Sequence, residues 1–131
     1  MNKKLSKIGF VENMKKSTKS LAIELILYTR KFEKRKELQV INYQIVKSAT
    51  SVGANYRAAS RAQSEKAMYA KMKIVEEEAD ETLFWLEILM EIHPSLIEET
   101  ELLHSKYKEV LSIVSKANKT LRQKFYQNKN Q

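Results

Sequence analysis

Apolar residues recur along this chain at three-, four- and seven-residue steps, the period of an amphipathic helix, in four successive stretches. Met14, Leu21, Leu25, Tyr28 and Phe32 line one face of the first, which predicts a helix over 14–35. Ser17, Thr18 or Ser20 would start it, and the cations Arg30 to Lys36 crowd its end, where they suit the helix dipole. The second stretch, 38–63, carries Leu38, Ile41, Ile45, Ala49, Val52, Tyr56 and Ala59. The third, 65–92, opens after Ser64, carries Met72, Val75, Ala79, Leu83 and Leu86, and is ended by Pro94. The fourth, 96–125, can be capped by Ser95 and shows Leu103, Tyr107, Val110, Val114 and Leu121. Such helices are roughly 30–40 Å long. The connections around Glu37, Ser64 and Pro94 are short, and short connections make consecutive long helices antiparallel. The expectation is an all-α, up-down-up-down antiparallel four-helix bundle forming one domain, 1–131.

Composition agrees and excludes several classes. Two glycines and one proline are too few for the turns of a β-rich or α/β protein. No cysteine is present, so disulfides, zinc–thiolate sites and thiol nucleophiles are ruled out. The basic start is followed by no long apolar run, and the most apolar window, 83–92, is short and holds Glu87 and Glu91. No membrane association and cytoplasmic residence are therefore expected. Gly53 stands mid-helix, where glycine costs roughly 1 kcal/mol against alanine; close approach of another helix would explain it.

Charge adds a functional hint. The net charge is +8, unevenly spread. Residues 1–37 hold eleven Lys/Arg against four Glu, residues 38–63 hold Lys47, Arg57 and Arg61 with no acid, and residues 64–93 reverse the sign with eight acids against three lysines. A basic balance of this kind favours polyanionic partners, nucleic acid first, although a lysine-rich solvated coat gives the same count. Lys31, Lys34, Arg35, Lys36, Lys47, Arg57 and Arg61 are the candidate nucleic-acid contacts.

The acid run Glu76–Glu78, Asp80, Glu81 is the nearest thing to a catalytic cluster, but it reads more simply as a solvated face or as partners for Arg57 or Arg61. Glu101 and His104 have the Glu-x-x-His spacing of di-iron bundles. The second such pair and the two further glutamates are missing. No phosphate-cradling glycine loop or nucleophile signature is found either. The chain is expected to be no enzyme, with no cofactor and no metal.

Thr50-Ser51-Val52-Gly53-Ala54-Asn55-Tyr56-Arg57, then Arg61-Ala62-Gln63-Ser64, then Glu77-Glu78-Ala79, Glu81-Thr82 and Trp85-Leu86 resemble the signature of a bacterial family. Its members are small four-helix proteins encoded in intervening sequences of 23S ribosomal RNA genes, and the family resembles the accessory variability proteins of diversity-generating retroelements. The likeness is strongest over 38–92. Where many members have Arg-Glu-Ala, this chain has Arg57-Ala58-Ala59, which puts any role of that glutamate in doubt here. The resemblance implies a four-helix bundle, often a ring-shaped homopentamer, with no established enzymatic activity. For the retroelement relatives it implies binding to nucleic acid and to a reverse transcriptase.

Ser51, Gly53, Asn55, Glu78, Glu81 and Trp85 form the structural part of that signature. The small residues of the second helix could interlock with the bulky 83–86 segment inside one bundle, or serve a contact between subunits. Asn55 is expected to act as a hydrogen-bond hub. Two functions from different classes remain: a basic, oligomeric accessory protein that binds nucleic acid, with structured RNA favoured by the resemblance, or an oligomeric scaffold for a protein such as a reverse transcriptase.

Overall fold

The computed structural model describes residues 3–129, with side chains over 7–126. Among the described residues it holds four long helices and no strand: α1 (Lys3–Thr29), α2 (Gln39–Ser60), α3 (Glu65–Ile92) and α4 (Ile97–Lys129). Single 3₁₀ turns occupy Arg30–Phe32, Lys36–Leu38 and Pro94–Leu96.

Several of the expected helix boundaries move; α2 ends at Ser60 rather than 63, and α4 runs to Lys129 rather than 125. α1 starts at Lys3 rather than at 14, so Ser17, Thr18 and Ser20 are interior positions. Thr18 is fully buried and satisfies its hydroxyl on the Met14 carbonyl, 2.8 Å away, a local bond compatible with a continuing helix. The α-helical part of the same segment ends at Thr29, and the chain tightens to 3₁₀ before an extended Arg35. Ser95 lies within the 3₁₀ turn before α4, its hydroxyl 2.9 Å from His93 Nδ1, and does not cap that helix. The start of α3 is as expected: Ser64 is extended, and its hydroxyl accepts the Ala67 amide at 3.1 Å.

The apolar stripes meet in one core. Leu25, Ile45, Val52, Val75, Ala79, Leu86, Tyr107 and Val114 are fully buried, and together they draw on all four helices. Consecutive helices pack on one another, and α1 also reaches α4. The polar groups inside are shared across helices. Ser48 on α2 and Thr82 on α3 bring their hydroxyls to 2.8 Å. Asn118 on α4 donates to the Met72 carbonyl at 2.9 Å and to Glu76 at 2.7 Å. The Tyr28 hydroxyl bonds Thr100. Such pairs fix the register of packed helices, because a shift by one residue would leave each group unpaired and buried.

Gly53 does face another helix, but it is α1 rather than the 83–86 segment. A methyl built there would stand 3.5 Å from the Thr18 carbonyl oxygen, an ordinary contact. Tight packing therefore does not account for the glycine.

Candidate nucleic-acid interface

Antagonistic patterns on two helices build the most distinctive surface of the molecule. The outer side of α1 carries lysines one helical turn apart, while the facing side of α2 is nearly free of bulk. Between them runs a groove of about 460 Å³. Thr50, Gly53 and Ala54 contribute the α2 wall, Ala22 with Ile23 and Ile26 the α1 wall at one end. Lys15, Lys16 and Lys19 from α1 and Arg57 and Arg61 from the end of α2 surround the rest, with Glu12 the one acid.

Lys15 is tied to Glu12 at 3.1 Å. Lys16, Lys19, Arg57 and Arg61 have no carboxylate within ion-pair distance among the described residues. Four cations without counter-charges around a groove give a strongly positive local field, the arrangement that attracts phosphate.

The expected contact residues do not come together in one place. Arg57 and Arg61 join the groove. Lys31 pairs with Glu99 at 2.5 Å, and Arg35 meets His93 Nε2 at 2.5 Å and Glu37 at 3.8 Å, near the start of α2. Lys34 and Lys36 are exposed beside them. Lys47 lies on another side of α2, where its charge acts on Glu78. Sequence reasoning missed Lys15, Lys16 and Lys19 as groove residues; their spacing of one, three and four was the available signal.

Apart from Gly53, which faces α1, the signature residues sit where α2 meets α3, half-buried. The Trp85 indole N–H donates to Glu81 at 3.3 Å, and the ring packs edge-on to Phe84. Burial pushes the Glu78 carboxyl above the usual carboxylate range, the Glu81 charge adds to this, and Lys47 draws it back. Arg57 and Arg61 form no ion pair with either acid, contrary to expectation, because they project into the α1 groove. Asn55 is a local rather than a bridging group: its amide donates to the Ser51 carbonyl and hydroxyl, both at 2.9 Å, one turn back on the same helix.

Glu76, Glu77 and Asp80 line a different cleft, between α3 and α4, shared with Lys73 and Arg122. No group of three or more His, Asp or Glu among the described residues is placed to hold a metal ion. His104 is half-buried and lies 2.9 Å from Glu87 rather than beside a second metal-ligand pair. No helix of the described residues is long and apolar enough to cross a membrane.

A four-helix protein with a cationic groove and a tryptophan–glutamate signature is the class defined by these features. The chain belongs to the family of 23S rRNA-intervening sequence proteins, whose model matches residues 12–116. It is similar to a protein of unknown function from the S23 ribosomal protein family of Bacteroides thetaiotaomicron, known from a crystal structure. The two share 28% identity with a TM-score of 0.75, over 81% of this chain and 98% of that one. No curated protein matches the chain.

Proposed function

We propose that this protein is a non-enzymatic, oligomeric, cytoplasmic accessory protein that binds nucleic acid through the α1–α2 groove. The observation that carries the reading is the set of four cations, Lys16, Lys19, Arg57 and Arg61, around a groove with no carboxylate partners of their own. Contacts of this type bind phosphates and carry no base readout by themselves. Structured RNA is the favoured ligand on grounds of family resemblance. We infer with it an up-down-up-down antiparallel course, supported by pairs whose numbers rise on one helix as they fall on the next. Glu24 meets Lys106 and Lys31 meets Glu99; Glu65 meets Lys124 and Glu87 meets His104.

A labelled structured RNA and a DNA duplex, titrated at low and moderate salt, test the reading. With about four phosphates neutralised per chain, affinity should fall roughly a hundredfold between about 50 and 200 mM salt. Replacing Lys16, Lys19, Arg57 and Arg61 by Gln should abolish binding, whereas replacing the ion-paired Lys31 and Arg35 should change it little. Absence of binding at low salt, or unchanged binding by the fourfold variant, would transfer the function to a protein partner. The exposed Phe84 and Ile92 beside Trp85 favour that second reading.

A further inference from the structure

The groove does not end at its basic half. Ile26 also lines a second compartment of about 380 Å³ between the end of α1 and the start of α2, so the two adjoin at that side chain. Its lining is of another kind. Tyr43 offers a ring that is 63% exposed, although most tyrosines of this protein lie against other side chains. Arg30 lines the same compartment without an ion pair among the described residues, with Glu33 its one acid.

We propose that the α1–α2 groove holds an unpaired strand of nucleic acid, with its phosphates in the basic half and a base stacked on Tyr43. This rests on the nucleic-acid reading and narrows it to single-stranded segments, such as the loop of a folded RNA. Fourteen residues separate Arg57 from Tyr43, about 21 Å along the helix, room for several nucleotides. A positive groove that tracks the backbone and an aromatic platform for a base are the two parts that single-strand binding requires. Bases in a duplex face one another and cannot reach such a ring, so a duplex would use the phosphates alone.

The test uses the full chain and three short single strands of equal length: oligodeoxycytidine, oligothymidine and an abasic strand with the same phosphates. At low salt the cytidine strand should bind about tenfold tighter than the abasic one, the order expected of one stacked base. Tyr43→Ala should erase that difference and leave abasic binding unchanged; the ring is exposed, so folding is not at issue. Thymidine should gain about as much as cytidine, because every base offers a π-face. Equal affinity for the cytidine and abasic strands, or a difference that survives Tyr43→Ala, overturns the base subsite while the phosphate groove stands. If none of the three strands binds and duplex and folded RNA also fail, it is the nucleic-acid reading itself that falls.

Discussion

Two buried tyrosines show how little a residue's place in the core says about its polar end. Tyr28 and Tyr107 both occupy apolar stripe positions, and both are almost completely buried. The Tyr28 hydroxyl donates to Thr100, which passes its own proton to the Leu96 carbonyl at 2.9 Å. The Tyr107 hydroxyl has no partner, and burial, with the Glu24 charge second, holds its proton far more firmly than in water. Tyr28→Phe should therefore cost about 1 kcal/mol, and Tyr107→Phe should be neutral or stabilising by up to about 1 kcal/mol. Urea melts of the two variants check the pair, and a larger loss for Tyr107→Phe contradicts it. Spacing alone identified both rings as core, but the partner of Tyr28 lies 72 residues away and left no local trace. Gly53 was legible in the same partial way. That it faces another helix was expected from the cost of glycine mid-helix, but which helix it meets depends on packing.

At the scale of elements, chemical markers located one boundary and misled at others. Ser64 marks the start of α3 because an extended residue with a short hydroxyl can close on the amide three positions later. Ser64→Ala should cost about 1 kcal/mol, while Ser95→Ala, outside any cap, should cost much less. Thermal unfolding of both variants compares them directly. The early part of α1 carried no such marker. Lys3 to Lys16 are mostly charged or small, and helices of that composition form because the following turns are already anchored, here at Met14, Thr18 and Leu21. The false start at Ser17 to Ser20 arose from side chains that favour caps but can also bond back to their own helix. The groove cations were hidden for a related reason: Lys16 and Lys19 acquire meaning only when α2 brings Arg57 and Arg61 opposite them.

At the scale of the whole molecule, the proposed homo-oligomer is a pentamer if it follows the family resemblance. Phe84 and Ile92 are each 52% exposed on α3, as is Leu27 on α1, an amount of unpartnered apolar surface that suits contact between copies. Ala22, on the same helix as Leu27, is buried in the single chain and contributes nothing to that surface. Light scattering at micromolar concentration should report a multiple of 15.3 kDa, and a monomer would remove the ring from the proposal.

The connection between α1 and α4 differs in kind from the other helix contacts. α3 packs along α2 and α4, and α1 along α2, but α1 approaches α4 mainly near Tyr28–Thr100 and Glu24–Lys106. Farther along, Phe10 and Val11 stand across an apolar cleft of about 320 Å³ from Ile113 and Leu121. In hydrogen-exchange terms the molecule has a seam. Backbone amides in the first half of α1 should lose protection first, with free energies of opening well below the global value, and amides in the middle of α2 and α3 last. Lys15 and Lys16, two of the groove's three lysines, belong to that weakly held segment, so a bound strand would slow exchange most in the very part of the chain that opens most easily.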